Sequence, residues 1–183
     1  MLKLSEYLGT YINKEGETIY YYRPSITSCS DSSLWIDIEP QKEEIAKIET
    51  IDIPYSMNLM MGGMAAGFPN LKKLIIREDC SIYSRTLAFD HGAFNRCPNL
   101  REVHVYRNIC FSNRHGKLDW KRPFQDSKDV IFYYHTDVCD SIGSDHEPCC
   151  AEFERWNMRY EIVQNGSYEE TNPAPYLWDL DYE

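Results

Sequence analysis

Two stretches of the chain share one pattern of apolar and polar positions. The first reads FPNLKKLII over residues 68–76, and the second reads CPNLREVHV over residues 97–105, so equivalent positions lie 29 residues apart. In both stretches the last two apolar positions are separated by one residue, which places their side chains on the same face of a β-strand. The pattern therefore predicts two short strands, each with one apolar face.

Weaker copies of the pattern lie on both sides of this pair. IETIDIP spans residues 48–54, and VIFYY spans residues 130–134, the latter starting 30 residues after Leu100. A unit with one apolar face cannot bury that face alone, but stacked units share a continuous core and align their strands in parallel. We predict an α/β fold with a parallel sheet of about four rungs, one strand per repeat.

The better of the two copies resembles a known family. GAFNRCPNLREVHV, residues 92–105, is similar to the BspA-type leucine-rich repeat, A-F-x-x-C-x-x-L-x-x-I-x-[IL]. The resemblance covers roughly residues 45–163 and implies a short solenoid that ends in a strand, a short helix and a closing strand. On the family pattern these last elements fall at residues 130–135, 151–158 and 159–163.

The segments that flank residues 45–163 differ from the repeats in composition. Tyr11-Ile12 and residues 19–22 flank the turn sequence NKEG, which predicts a β-hairpin, and residues 34–38 predict a further strand. We interpret residues 1–44 as an N-terminal β cap over the first rung, with a separate tyrosine-rich binding module as the alternative.

Residues 164–183 differ again and form an acidic, aromatic tail. The tail holds five acidic and no basic side chains, and its aromatic residues include Tyr176 and Trp178. Apolar anchors of this kind are what short peptides bury in a groove of a partner. The tail is expected either to fold back onto the basic middle of the chain or to dock onto a partner.

The net charge of −10 is unevenly distributed along the chain. Residues 1–70 hold 5 basic and 10 acidic side chains, residues 71–122 hold 11 and 5, and residues 123–183 hold 3 and 14, so the three segments carry −5, +6 and −11. The basic middle is either a solvated face neutralised by its flanks or a surface for an anionic partner. The overall acidity therefore does not exclude an anionic ligand; it restricts where one would bind.

We expect a non-catalytic protein–protein interaction module, because the outward side chains of a leucine-rich repeat sheet recognise partners in that family. The expected partner-binding residues are the outward and turn-edge positions of the repeats, the long basic connection and the tail anchors: Lys73, Arg77, Arg101, His104, Arg107, Arg114, Lys117, Trp120, Lys121, Arg122, Tyr176 and Trp178.

Two other hypotheses remain open from the sequence. The basic region 72–122, with Trp120 in its long connection, would suit nucleic acid or another polyanion, whose binding would weaken steeply with salt. The acidic segment 123–183 would suit a small phage or bacterial effector that blocks a basic partner.

No catalytic, cofactor or phosphate-binding motif is recognised, so neither an enzyme nor a cofactor is predicted. The seven cysteines are odd in number, and Cys139, His146, Cys149 and Cys150, with His135 nearby, match no standard zinc spacing. The start of the chain lacks a secretory apolar region, and no apolar run reaches the roughly 18 residues of a membrane span. A cytoplasmic protein without a membrane partner is expected.

Overall fold

The computed structural model describes residues 4–24, 41–54, 57, 59–60, 67–77, 87–89, 92–111, 123–135 and 153–163. Besides a helical stretch at 153–155, two short helices and ten strands lie in this part of the chain. In chain order they are α1 (Leu4–Tyr7), β1 (Leu8–Ile12), β2 (Thr18–Tyr22), α2 (Lys42–Ile45), β3 (Thr50–Ile53), β4 (Leu59–Met60), β5 (Lys73–Ile76), β6 (Leu87–Phe89), β7 (Glu102–Val105), β8 (Ile109–Phe111), β9 (Ile131–His135) and β10 (Tyr160–Val163).

Seven of the strands form one mostly parallel sheet, so the architecture is mixed α/β with few helices. The strand order is β1-β2-β3-β5-β7-β9-β10, and every neighbouring pair after β1-β2 is parallel. The predicted parallel sheet is confirmed, including a strand in each of the four repeats. The closing strand at the end of the repeats is also confirmed, as β10.

The hairpin predicted near the N-terminus is confirmed as the antiparallel pair β1-β2. Tyr11 lies opposite Ile19, and Gly16 in the turn takes a positive φ of 82°, which costs a glycine little. The strand predicted at residues 34–38 lies outside the described residues.

A second, smaller parallel sheet was not predicted. β4, β6 and β8 pair in that order, and each follows a strand of the large sheet in the chain. The chain thus alternates between the two sheets from β3 to β9. Leu87 and Phe89 of β6 and Ile109 and Phe111 of β8 are buried, so the same two-residue alternation marks these strands in the sequence.

The core is a single cluster to which both sheets contribute. Equivalent residues of neighbouring strands pair directly in register, so that Ile51, Leu74, Val103 and Phe132 form one fully buried row across the large sheet. Phe132 contacts the rings of three other buried phenylalanines, at centroid distances between 5.0 and 6.1 Å: Phe111, Phe124 and Phe153.

Asparagine side chains connect successive repeats at the turn before each strand. Asn70 donates through Nδ2 to the carbonyl of Ala46, and Asn99 donates to the carbonyl of Pro69, both at 2.7 Å. The two asparagines occupy the same position of the shared pattern, and each acceptor lies one position earlier in the preceding repeat. The P-N dipeptide of the pattern therefore has a structural role between repeats.

The helix of the terminal unit ends earlier than the predicted residue 158. Within the described residues it covers 153–155 and ends at Asn157, whose φ is 52°. The amide of Met158 donates to the Phe153 carbonyl at 2.8 Å, and the amide of Asn157 donates to the Glu154 carbonyl at 3.1 Å. This is the hydrogen-bond pattern of a Schellman motif, in which a left-handed residue terminates the helix and releases the chain into the next strand.

No helix in the described part of the chain is long and apolar enough to cross a membrane.

Replacing Phe132 with alanine tests whether the repeats share one core. Phe132 is fully buried between strands and rings of several repeats, so Phe132→Ala should lower the free energy of unfolding by about 3–5 kcal/mol in urea denaturation. Ile12, which is 63% exposed, supplies the control, and Ile12→Ala should change it by less than about 0.5 kcal/mol. A loss below about 1 kcal/mol in Phe132→Ala would contradict a continuous core.

Candidate binding face

One face of the seven-stranded sheet packs against the core, and the opposite face is here called the outer face. Several polar and charged side chains of the described residues lie on the outer face. The in-register pairing places six of its side chains in one row across adjacent strands: Tyr21, Asp52, Ile75, His104, Tyr133 and Glu161. The row divides into a buried part near β2 to β5 and a more open part near β7 to β10.

The buried part of the outer face is organised around an ion pair. Asp52 is fully buried, and Arg77 reaches it with Nη2 at 2.7 Å and with Nε at 2.9 Å from both carboxylate oxygens. The Tyr11 hydroxyl also donates to Asp52, at 2.9 Å. The hydrogen bonds from Arg77 and Tyr11 offset much of the free energy that desolvation of the Asp52 carboxylate costs. Because these donors come from different directions, they also hold the carboxylate in one orientation.

Tyrosine packing encloses the same ion pair on the side of the hairpin. Tyr11, Ile19 and Tyr21 form a small apolar cluster on the outer face, separate from the main core. Gly9 is needed for this packing, since a Cβ at that position would lie 2.3 Å from the Tyr21 ring. The hairpin therefore covers the buried end of the outer face, which agrees with a capping role.

Two histidines occupy the middle of the outer face. Nδ1 of His104 lies 3.3 Å from Nε2 of His135, and Nε2 of His104 lies 3.3 Å from the Glu102 carboxylate. The ring of Tyr106 stacks on His135 at 4.0 Å, and the ring of Tyr133 stacks on His104 at 5.0 Å. The rings hold the imidazoles in fixed orientations, so the contacts between histidine nitrogens are maintained.

These contacts determine the tautomers of the neutral rings. A carboxylate only accepts hydrogen bonds, so Nε2 of His104 carries the proton that is donated to Glu102. Nδ1 of His104 is then an acceptor, and it receives the Nε2 proton of His135. The result is a directed chain of hydrogen bonds from His135 through His104 to Glu102.

Burial lowers the pKa of His104 from its ordinary value of 6.5, and the nearby Lys73 ammonium lowers it further. The hydrogen bond and charge of Glu102 act in the opposite direction but are smaller causes than burial. His104 is therefore neutral at pH 7.

The open part of the outer face forms a contiguous strip across β5, β7, β9 and the start of β10. Its members are partly or fully exposed, and we call them the open strip: Lys73, Glu102, His104, Ile131, Tyr133, Arg159 and Glu161. Apart from the Glu102–His104 contact, no ion pair within the described residues involves the charged members of the strip. Charged groups of both signs thus surround an aromatic and aliphatic centre.

The structure describes five of the twelve predicted partner-binding residues, of which Arg77 and Arg107 are buried. Lys73 and His104 lie in the open strip, and Arg101 is exposed at the turn edge, where Nη1 donates to the carbonyls of Pro98 and Leu100. The remaining seven predicted residues lie outside the described part of the chain: Arg114, Lys117, Trp120, Lys121, Arg122, Tyr176 and Trp178.

Arg77 and Arg107 are buried and have structural partners. Arg77 pairs with Asp52, and Arg107 donates through Nη2 to the Met57 carbonyl at 2.6 Å and, at 3.4 Å, to the Pro54 carbonyl. Each is less than one-tenth exposed. Two positive charges of the basic middle therefore contribute to the fold and are poorly accessible to a ligand.

Sequence reasoning missed Asp52, Tyr133 and Glu161 as members of this face. Each lies at the outward position of a strand, and Asp52 and Tyr133 lie between buried apolar neighbours, so the alternation that predicted the core could have identified those two. His135 was considered only as a neighbour of a possible zinc cluster, and its pairing with His104 requires the register of β7 and β9.

The described residues contain no group of three or more side chains suited to hold a metal ion, and Cys139, His146 and Cys149 lie outside them. Cys97 is buried, and burial raises the pKa of its thiol to about 12, so it stays protonated at neutral pH. Cys97 thus behaves as a small apolar core residue.

No family model, no curated protein and no solved structure matches this chain.

Removing the charge of Asp52 tests the buried ion pair. Asp52→Asn removes the negative charge that Arg77 contacts in a buried site, so the free energy of unfolding in urea should fall by about 3–5 kcal/mol. The matched control breaks an exposed pair: Lys72 and Glu49, 2.8 Å apart, are each more than half exposed. Lys72→Gln should therefore cost less than about 1 kcal/mol. Equal effects of the two substitutions would show that burial does not govern the Asp52 interaction.

Proposed function

We propose that this chain is a short leucine-rich repeat solenoid of the BspA type whose open strip binds a partner protein. The strip itself carries the proposal. It is a contiguous surface of aromatic, aliphatic and charged side chains on a sheet whose strands are locked in register. The core cluster and the Asp52–Arg77 ion pair stabilise the fold, and neither includes a residue of the open strip. Most side chains of the strip therefore remain accessible to a partner.

The repeat organisation supports the solenoid part of the proposal. Strands β3, β5 and β7 place equivalent residues of successive repeats opposite each other, as in Ile51–Leu74–Val103. The alternation between the large and the small sheet is what a solenoid requires, since each turn of such a chain contributes one strand to each side.

The composition of the open strip favours a protein over a small molecule. Tyr133 and Ile131 are partly exposed, and exposed aromatic and aliphatic groups surrounded by charges are characteristic of the centre and rim of protein interfaces. The sheet presents these groups on a rigid support, so little conformational entropy is lost when a partner covers them.

The polyanion alternative has less support from the described residues. Of the cations it would use, Arg77 and Arg107 are buried, and Lys72 is paired with Glu49. The acidic-effector alternative depends mainly on residues 123–183, of which the structure describes 123–135 and 153–163. Neither has an observation as direct as the open strip.

Site-specific photo-crosslinking in the native host tests the proposed function. Benzoylphenylalanine in place of Tyr133 should give a discrete adduct with another protein, whereas the same group in place of Glu15, exposed in the β1–β2 turn, should not. The adduct should be competed by excess unlabelled chain.

Competition with charge-reversed variants of the chain tests whether the adduct depends on the open strip. The double variant Glu102→Arg/Glu161→Arg changes only exposed members of the strip and should compete poorly, whereas Glu15→Arg should compete like the unaltered chain. No adduct at position 133, or equal competition by all three chains, would overturn the proposed function. An adduct with nucleic acid in place of protein would favour the polyanion alternative.

A further inference from the structure

The contact between His104 and His135 holds a single shared proton. Their ring centroids are 5.6 Å apart, and the facing nitrogens are 3.3 Å apart. The difference between these two distances is about twice the distance from a ring centre to a ring nitrogen. The two nitrogens therefore lie close to the line that joins the ring centres. This is the arrangement of an N–H···N hydrogen bond, in which one nitrogen donates and the other accepts. Two protons cannot occupy this gap.

Protonation of the pair therefore occurs in two distinct steps. One added proton leaves the hydrogen bond intact but places a positive charge on a pair in which His135 is almost fully buried. A second added proton puts an N–H on both facing nitrogens and breaks the contact. Because the rings interact, the two steps belong to the pair and not to either residue alone.

Several charged and titratable groups of the described residues face the pair. From β5, Arg77 is neutralised by Asp52, while Lys73 lies directly opposite Glu102 in the register. The groups that face the pair from its own and the neighbouring strands are Lys73, Arg77, Glu102, Tyr106, Tyr133 and, one strand farther, Glu161. Burial is the largest influence on the pKa of His104, and it favours the neutral imidazole.

We propose that the His104–His135 pair makes partner binding at the open strip sensitive to acid: the partner binds when the pair is neutral and is released when the pair becomes protonated. This inference rests on the proposed function. A partner that covers the strip removes His104, whose side chain is 18% exposed, from water. Desolvation disfavours a charged imidazole, so the partner binds the neutral pair more tightly and acidification weakens the complex.

Nuclear magnetic resonance of the imidazole nitrogens in the full chain tests the proton chemistry of the pair. We expect the Nε2–H tautomer on both rings at pH 7.5 and a titration midpoint for His104 below 6.5. Lys73→Gln should raise that midpoint and Glu102→Gln should lower it, while Lys14→Gln in the β1–β2 turn should leave it unchanged. A proton on Nδ1 of His104 at pH 7.5, or a His104 midpoint at or above 6.5, would overturn the proposal.

Photo-crosslinking at position 133, carried out at pH 7.5 and pH 5.5, tests the coupling to partner binding. The adduct yield should fall at least about threefold on acidification. This dependence should disappear in His104→Gln, which cannot gain the charge but retains a hydrogen-bonding side chain. A pH-independent adduct would refute the inference and leave the proposed function intact. Absence of the adduct at both pH values would instead count against the proposed function, and the titration would still report on the pair.

Discussion

In-register stacking of parallel strands is the constraint on which the rest of this structure depends. Each strand carries apolar side chains on alternate residues, so a shift of one residue between neighbours would move a whole set of buried groups to the outer face. The row Ile51–Leu74–Val103–Phe132 shows that no such shift occurs between β3 and β9. The register that aligns the core also aligns the outward side chains, so the fold and the candidate binding face arise from one constraint.

The same register gives the two halves of the outer face different roles. Near the hairpin, the outward positions of β3 and the end of β5 meet as Asp52 and Arg77, and their charges are used within the fold. Near the terminal unit, Tyr133 and Glu161 lie at the outward positions of β9 and β10. Among the described residues, the Glu161 carboxylate takes part in no ion pair. The buried ion pair and the proposed binding strip thus lie at opposite ends of one row of a single sheet, with His104 between them.

The interactions that join the repeats explain details of the sequence that hydrophobicity alone does not. The asparagine of the P-N dipeptide is polar and exposed, yet it bonds to the preceding repeat at the turn. Asn157 tolerates the left-handed backbone that ends the terminal helix, so the helix ends earlier than the family pattern implied. Local polar residues therefore set where each strand begins, while the apolar pattern sets what it buries.

The sequence by itself determined the repeats, the parallel strands, the hairpin and the closing strand, because each of these is specified by spacing over a few residues: the alternation of the core positions and the turn residues between them. It also placed Lys73 and His104 at outward positions. Only the tertiary structure decided that Arg77 and Arg107 are buried, that β6 and β8 form a second sheet, and that His104 meets His135. These outcomes depend on residues that lie about 20 to 50 positions apart and are brought together by strand register, which no local pattern encodes.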